Sequence, residues 1–582
     1  MDKKQVAEII DEIGTLLELK GENPFKSRAY HTAARAIAAL TEDFEALVER
    51  QELHTIRGIG KSIAEKITEL ATTGKLPYYD QLKASLPPGL LDMLKIQGLG
   101  PKRVILLYKK LKIKSIEELQ KACETHRLAK IKGFGDKTEQ NILKGIQRLR
   151  TTSQKHLYPK AREAAERIRS TLASINGVQE CEVAGSLRRK KEVIGDIDIV
   201  LSSTERAREV IIERFTSHPD VDTVLAKGET KASVILKSGI HCDIRIVTAS
   251  EYPFALNYFT GSKEHNVEIR SIARKFGWSL NEYGFSYIEG EAKKEISRIP
   301  RCKSEADVYR ALGLAYIPPE LRENMGEIEA ARKGELPTLI EEKDLRGTFH
   351  CHTTYSDGAN TIEEMAKGAI KRGWSYWGVA DHSQTAAYAG GMDIAKIKAQ
   401  HKEIDELNRH VKNFRIFKGT ECDILPDGSL DYPDSVLARF EYVVAAIHSK
   451  LNMTEQEATR RLVKALKNKH VTMLAHPTGR ILLSRDGYPV NMLEVINAAA
   501  DYGKAIEINA HPFRLDLDWK FVKYAKSKGV PIVINPDAHN VDGLNDVQYG
   551  VGVARKGWLE ARDVLNTWDV SEIERFFRIH GS

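Results

Sequence analysis

Seven short apolar runs, each ending in a polar cluster, constrain the C-terminal part of this chain: Thr348–His352, Trp377–His382, Arg415–Glu421, Tyr442–His448, Val471–His476, Ala505–Asn509 and Pro531–His539. Helical patterns separate them. A strand–loop–helix rhythm repeated over this distance predicts a closed parallel barrel, in which chemistry sits at the C-terminal ends of the strands. His350 and His352 are spaced i, i+2, so on a strand both face one side and Cys351 faces away into the core. Asp381-His382, Glu421, His448, His476 and Asp537-Ala538-His539 follow at later strand ends. Residues of these types on successive strand ends converge on one rim. Their mix of borderline and hard donors suits zinc, manganese or iron.

The rest of the chain reads differently. A length of 582 residues predicts three to five domains. The six cysteines, Cys123, Cys181, Cys242, Cys302, Cys351 and Cys422, are scattered with no Cys-x-x-Cys pair, as expected of reduced thiols rather than a disulfide framework or zinc finger. No apolar run reaches the ~18–20 residues that span a bilayer. Met1-Asp2-Lys3-Lys4 does not open an apolar signal sequence, so a cytoplasmic protein is expected. The formal charge of +7 is modest, but residues 101–150 carry a strong excess of lysine and arginine over acids, as a nucleic-acid surface would.

Residues 1–150 read as helices joined by a repeated turn: Ile56-Arg57-Gly58-Ile59-Gly60-Lys61, Ile96-Gln97-Gly98-Leu99-Gly100-Pro101-Lys102 and Ile131-Lys132-Gly133-Phe134-Gly135-Asp136-Lys137. Apolar-x-Gly-apolar-Gly leading into a helix is the helix-hairpin-helix signature. Its glycines let a DNA backbone approach, and the N-terminus of the following helix offers N–H groups to a phosphate. Gly58, Gly60, Gly98, Gly100, Gly133 and Gly135 are the expected contacts, and they carry no sequence information.

Between these regions lies Gly185-Ser186-Leu187-Arg188-Arg189, followed by Gly195-Asp196-Ile197-Asp198. A Gly-Ser turn with two arginines can hold a triphosphate. Asp196 and Asp198, again i, i+2, point to one face of a strand, and Asp243 lies on a plausible neighbouring strand. Three such carboxylates can hold two hard cations, which support in-line displacement at phosphorus. Strand-like runs at 181–184, 196–201, 232–236 and 241–247, after a helix near 159–173, predict a mixed α/β domain.

With these motifs in order over residues 1–315, the chain resembles the family X DNA polymerases, whose animal representative is DNA polymerase beta. Gly21–Tyr30, Lys227-Gly228-Glu229-Thr230-Lys231 and Tyr258-Phe259-Thr260-Gly261-Ser262 add to the resemblance. It implies that Asp196, Asp198 and Asp243 are catalytic ligands of Mg2+ or Mn2+, and that Ser186, Arg189 and Gly195 bind the β- and γ-phosphates of a dNTP. It further implies that Tyr258, Phe259 and Gly261 line the sugar pocket, that Asn266 reaches the minor-groove edge of the base, and that Arg270 reaches the templating side. His241 stands where the animal enzyme has arginine, and Lys263 where it has aspartate. Lys66 falls at the position of a lysine that attacks a 5′ deoxyribose phosphate, with Lys26 placed for the phosphate, yet Ser62 replaces a supporting lysine. A reactive amine needs burial or neighbouring positive charge, which the sequence leaves open.

Over residues 348–539, His-x-His-x-x-x-x-Asp-Gly, Asp-His-Ser, Gly-x-Glu, His-Ser, Ala-His-Pro and Asp-Ala-His resemble the PHP (polymerase and histidinol phosphatase) family. All nine ligand positions implied by that resemblance are filled: His350, His352, Asp357, His382, Glu421, His448, His476, Asp537 and His539. They imply up to three ions, Zn2+ and/or Mn2+, and phosphoester hydrolysis. Arg480 and Arg514 are candidates for the substrate phosphate. Asp381 and His511, beside motif residues, are expected behind the ligands or facing solvent.

The expected fold is multidomain, α+β and α/β. Its parts are an N-terminal helical, lyase-like DNA-binding domain (1–90), a second helix-hairpin-helix domain (91–153), a beta-like nucleotidyltransferase palm (154–250), a thumb-type domain (251–315), a linker (316–344) and a distorted TIM-like (β/α)7 PHP barrel (345–582). The expected function is DNA-directed synthesis across short gaps in repair, including base excision repair. The barrel is expected to act as a 3′–5′ exonuclease, with abasic-site endonuclease or 3′-phosphatase activity as further options. The expected partners are gapped or nicked duplex DNA and dNTPs, and the expected state is a monomer. The alternatives are a polymerase fused to a small-molecule phosphatase, a non-enzymatic DNA-end-binding scaffold, and a polymerase that adds nucleotides without a template.

Overall fold

A computed structural model describes residues 1, 3–38, 40, 44–56, 58–96, 99–129, 131, 133–152, 155–288 and 298–580. The chain forms two compact units, Met1–Ser153 and Gln154–Ser582. No helix among the described residues is long and apolar enough to cross a membrane.

The first unit is helical. Helices α1 (Lys3–Lys20) and α2 (Pro24–Ala38) pack through Val6, Ile10, Ile13, Leu17, Tyr30 and Ile37. The repeated turns lead into α3 (Lys61–Thr73), α4 (Pro101–Leu111) and α5 (Asp136–Thr152). In each turn the apolar residue between the glycines is buried: Ile59, Leu99 and Phe134. That anchor fixes the following helix. The second glycine's carbonyl accepts the N–H groups three and four residues on, from Gly60, Gly100 and Gly135 alike. A Cβ on any of these three would meet nothing within 4 Å, so their backbone faces open space. Gly58 and Gly133 have φ of 98° and 94°, which a side chain would strain. Gly98 lies outside the described residues.

The second unit begins with α6 (Tyr158–Ala173), whose small apolar face (Ala161, Ala164, Ala165, Ile168) lies on a five-stranded sheet. Its strands are β1 (Val178–Val183), β2 (Asp196–Ser203), β3 (Val221–Lys227), β4 (Lys231–Leu236) and β5 (His241–Val247), in the order β1-β2-β5-β4-β3. The edge strand β3 was not expected. Nearly all its side chains are exposed, so it lacks the apolar alternation that marks a half-buried strand. Helices α7 (Tyr252–Thr260) and α8 (Lys263–Lys275) follow.

The stretch 316–344, expected as a linker, packs into the unit. Arg322 is fully buried, donates to Glu305 and the Ile317 carbonyl, and lies over the rings of Tyr309 and Tyr316. Its composition is polar, and polar residues read as linker until their ion-pair partners are known.

Six parallel strands follow, paired in chain order: β6 (Tyr376–Val379), β7 (Arg415–Asp423), β8 (Tyr442–Ala446), β9 (Met473–Leu474), β10 (Ala505–Asn509) and β11 (Ile532–Asn535). The first expected run, Thr348–His352, forms no regular strand. It closes the barrel all the same. Gly378 and Ala380 donate to the carbonyls of Thr348 and Cys351, and His352 donates to that of Ala538. Below the strand ends the interior is filled by Phe349, Tyr376, Phe417 and Tyr442, and the C-terminal helix Val570–His580 plugs it with Phe577. Above this apolar floor, histidines and acids gather at the C-terminal ends of the strands.

Candidate active sites: a carboxylate triad and a histidine rim

On the palm sheet, β2 and β5 run parallel with Asp198 opposite Asp243 and Asp196 opposite His241. The i, i+2 spacing therefore brings Asp196 and Asp198 to one face, and the register adds Asp243 beside them. Asp198 is pushed up to about 7 by burial, then by the nearby charges of Asp196 and Asp243. A buried carboxylate flanked by two others is a setting whose repulsion hard cations would relieve. The Nζ of Lys231 lies 3.7 Å from Asp243.

The turn before β2 packs tightly on the triad. Gly185 has φ of 61°, and a Cβ there would collide with Asp198 Oδ2. The Ala184 N–H donates to the Asp198 carbonyl at 2.7 Å. Ser186 is half-buried and Gly195 exposed at the two ends of this loop. Arg189 is less free than the sequence suggests. Its Nε donates to Glu323 at 3.0 Å and its Nη1 to the Thr260 carbonyl at 2.5 Å. Arg188 is engaged by Thr260 and Glu305. Tyr258 and Phe259 pack edge to face, with Arg245 5.4 Å over the Phe259 ring. Asn266 donates to the Tyr258 carbonyl and so holds the end of α7, while Arg270 Nε donates to the Asn266 carbonyl within α8.

Glu323 also receives Lys191 and the buried Lys556, which lies at the end of α9 (Val547–Lys556) in the barrel. Lys556 Nζ donates to the Arg189 carbonyl at 3.0 Å as well. The loop that precedes the triad is thus bonded directly to the barrel. Sequence reading missed Glu323 and Lys556, since neither belongs to a motif.

At the barrel rim all nine expected residues meet. Glu421, almost fully buried, is the hub. Its oxygens lie 2.9 Å from His382 Nδ1, 2.9 Å from His476 Nε2, 3.1 Å from His448 Nε2 and 3.4 Å from His350 Nε2. Asp537 lies 3.1 Å from His352 Nε2 and 3.6 Å from His350 Nε2. Asp357 faces His382, His352 and His539 at 3.7, 3.8 and 3.5 Å. Their donor atoms fall into overlapping groups: His352, Asp357, His382 and His539; His350, His476 and Asp537; His350, His352 and Glu421; His382, Glu421 and His448.

The residues fit metal ions. His350 Nε2, His352 Nδ1 and His476 Nδ1 are buried with no hydrogen-bond partner, a costly state for imidazole nitrogens that a cation would relieve. His352 is pushed down to about 3, by burial and then by its histidine neighbours, and so presents a neutral ring. His448 goes the other way, to about 10: burial opposes its charge, but Glu421 and Asp423 outweigh it. The rim's acids demand positive charge, which protons or metal ions can supply. His476 and Asp537 have φ of 23° and 53°, strain retained at two of the nine positions.

A second layer was not legible in the motifs. Glu507 is fully buried and accepts from His350 Nδ1 at 2.7 Å, the His476 N–H at 3.1 Å, and Asn509 and Asn535 at 2.9 Å each. Asp423 holds His448 Nδ1 at 2.5 Å. Such carboxylates fix the tautomer and orientation of a ligating imidazole. The i+2 spacing after Glu421 and before Asn509 was the available signal. Asp381 is fully buried rather than solvent-facing, and it accepts from Thr353, Ser356 and Gln400. Arg480, expected at the substrate phosphate, is taken up by Asp518, Glu192 and the carbonyls of Arg514 and Leu515. It ties palm to barrel. Arg514 does face the rim, with Nε 3.5 Å from Asp537.

Family models match along the chain: a helix-hairpin-helix domain over residues 1–76, a SAM-like helix-hairpin-helix tandem over 90–148, the DNA polymerase beta thumb over 255–323 and the PHP domain over 348–511. The DNA polymerase/3'-5' exonuclease PolX of Bacillus subtilis (strain 168) is 40% identical over 580 residues, covering 99% of this chain and 100% of that protein. The chain belongs to the bacterial family X DNA polymerases that carry a PHP domain. DNA polymerase lambda of Rattus norvegicus is 26% identical over 50% of this chain and 52% of its own length. A probable phosphatase of Thermoanaerobacter sp. (strain X514) is 28% identical over 39% of this chain and 93% of its own length. Membership implies DNA binding and the use of divalent metals. The thumb match runs into the stretch expected as a linker, in keeping with its buried side chains, and Asp537 and His539 lie beyond the PHP match yet complete the rim.

Proposed function

We propose that this protein fills short gaps in DNA during repair in the cytoplasm, and that its barrel trims 3′ ends as a metal-dependent 3′–5′ exonuclease. The observation that carries the reading is the presence of two separate ligand clusters in one chain: the acids on β2 and β5, and the nine-residue rim. The relative that matches the whole chain is named for both activities.

In the palm, Asp196, Asp198 and Asp243 would hold Mg2+ or Mn2+. Such ions lower the pKa of a primer 3′ hydroxyl and stabilise charge on departing pyrophosphate. Ser186, Arg189 and Gly195 would meet the β- and γ-phosphates of the dNTP, with Arg189 held from behind by Glu323. Tyr258, Phe259 and Gly261 would border the sugar, and Asn266 and Arg270 the base pair. The helix-hairpin-helix turns, with Gly58, Gly60, Gly98, Gly100, Gly133 and Gly135, would grip the duplex backbone. Lys66 Nζ donates to Ser62 and lies 5.3 Å over the Tyr78 ring. Its lyase role is tested by borohydride trapping on a 5′ deoxyribose phosphate.

At the rim, His350, His352, Asp357, His382, Glu421, His448, His476, Asp537 and His539 would hold Zn2+ and/or Mn2+. Those ions supply Lewis acidity and a nucleophilic water near neutral pH. Glu507 and Asp423 keep His350 and His448 oriented, and Arg514 would meet the scissile phosphate. The phosphatase reading draws on relatives that match only part of this chain, 39% of it for the Thermoanaerobacter protein. An end-resolved gel on gapped DNA, with and without dNTPs and across Mg2+, Mn2+ and Zn2+, tests the reading. Extension with dNTPs and shortening without them is the expected result. Hydrolysis of soluble phosphomonoesters with intact 3′ ends would replace it with the phosphatase reading, and gel filtration checks the monomer.

A further inference from the structure

Residues 189–192, just after the Gly-Ser turn of the palm, reach the barrel one after another. The Arg189 carbonyl accepts from Lys556 Nζ at 3.0 Å. Lys190 packs against Gly552, where a Cβ would stand 3.3 Å from its Cδ. Lys191 Nζ lies 3.3 Å from Glu323, which also meets Lys556 at 2.5 Å. Glu192 accepts from Arg480 Nη2 at 3.4 Å, and the carbonyls of Arg514 and Leu515 hold that guanidinium in the barrel. Gly552 and Lys556 both belong to α9, whose Val547, Val551, Val553 and Ala554 sit in the barrel core. Lys190 has φ of 52°, a left-handed backbone that a side chain strains and that persists only where its surroundings hold it.

Lys556 is the centre of this contact. Its side chain is 1% exposed, and its three N–H groups meet the Arg189 carbonyl, the Glu323 carboxylate and, at 3.5 Å, the Glu320 carbonyl. Its ammonium lies 4.7 Å over the ring of Trp519. Burial pushes that ammonium down to about 8. A methionine would fill the same space without the cost of desolvating a charge, so the lysine serves its acceptors. Those acceptors converge on Arg189. Glu323 takes the Arg189 Nε at 3.0 Å, and the Thr260 carbonyl takes its Nη1. Lys556 and Lys191 share the charge of Glu323, so the carboxylate orients the guanidinium without neutralising it. A guanidinium held at two nitrogens is preorganised for a phosphate, whereas a loose one must be ordered when the phosphate arrives.

We propose that Lys556 is a positioning residue for nucleotide incorporation: from inside the barrel it sets the backbone of Arg189 and, through Glu323, its guanidinium. The affinity of the palm for a triphosphate then depends on the barrel. The proposal rests on the reading of Arg189 as a ligand of the β- and γ-phosphates. The dependence runs one way, because neither Lys556 nor Glu323 belongs to the histidine rim.

The test measures KM and kcat for a dNTP in gap filling by the full chain with Mg2+, and 3′ trimming by the same preparation. Lys556→Met raises the dNTP KM about tenfold and keeps kcat within about threefold, because a phosphate contact is made in the ground state as in the transition state. The KM for pyrophosphate in the reverse reaction rises with it, while the KM for gapped DNA and the trimming rate stay as in the wild type. A general loss of structure would lower kcat and trimming together. Lys556→Met strands the Glu323 carboxylate, so Lys556→Met combined with Glu323→Gln is measured beside it. Thermal midpoints report folding, and the combined variant decides if the single one does not fold. Arg189→Ala raises the dNTP KM by itself, and adding Lys556→Met to it changes KM by no more than about twofold. A wild-type KM in the folded Lys556 variants, or an equal rise with and without Arg189, overturns the proposal. An unchanged KM in Arg189→Ala overturns the phosphate reading of Arg189 itself, and the proposal with it.

Discussion

Glu507→Gln is the sharpest perturbation of the histidine rim, because it changes one atom and no volume. Glu507 accepts four hydrogen bonds: from His350 Nδ1, the His476 N–H, Asn509 and Asn535. A carboxylate can accept all four, but an amide replaces one oxygen with an NH2 group that only donates. If the NH2 faces His350, that ring must accept at Nδ1 and carry its proton on Nε2, the atom that points at Glu421 and Asp537 from 3.4 and 3.6 Å. The lone pair needed for a metal is then gone. If the NH2 faces the other way, the His476 N–H and Asn509 lose their acceptor inside the core, at about 1–3 kcal/mol each. Loss of such a supporting carboxylate typically costs 10–100-fold in metal affinity, about 1.4–2.7 kcal/mol. The assay is a Mn2+ titration of 3′ trimming together with metal content by elemental analysis, with nucleotide incorporation as the internal control. The expected result is a 10–100-fold higher Mn2+ requirement for trimming and unaltered incorporation. Unchanged metal content and an unchanged Mn2+ curve would refute the tautomer argument.

Asp198→Ala abolishes incorporation of dNTPs and leaves 3′ trimming, read on one gel from the same reaction; His350→Ala does the reverse. Glu305 is held down to about 2, because Arg322 and Arg188 overcome the burial that opposes its charge. Its folded pKa lies below the ordinary carboxylate value, so its stabilisation is complete above about pH 4.5 and is lost as the pH falls toward 2, roughly 3 kcal/mol in all. Denaturation midpoints of wild type and Glu305→Gln should differ at pH 7 and converge near pH 2–3. Gly419→Ala drives a Cβ into the ring of Tyr442, whose hydroxyl is fixed by the carbonyls of Phe349 and Val379. It should cost about 1–3 kcal/mol in a denaturant titration. Binding to gapped DNA should weaken steeply with salt, measured by anisotropy from low to physiological ionic strength, because backbone phosphates dominate the contact.

Local pattern determined much of this protein. The i, i+2 spacing of Asp196 with Asp198 and of His350 with His352 fixed which side chains share a face. The apolar runs marked the barrel strands, and the Gly-apolar-Gly turns marked the helical hairpins, because each depends on neighbours within a few residues. Tertiary structure decided what depends on distant partners. Register set Asp243 beside Asp198 rather than a residue away. Burial made Glu507 and Asp423 the supports of His350 and His448, drew Arg480 into an ion-pair cluster with Asp518 and Glu192, and turned 316–344 into a packed wedge around Arg322. Acids and arginines look alike in a sequence whether they serve a ligand, a neighbour or water. The desolvation that separates those roles arises only when segments far apart in the chain come together.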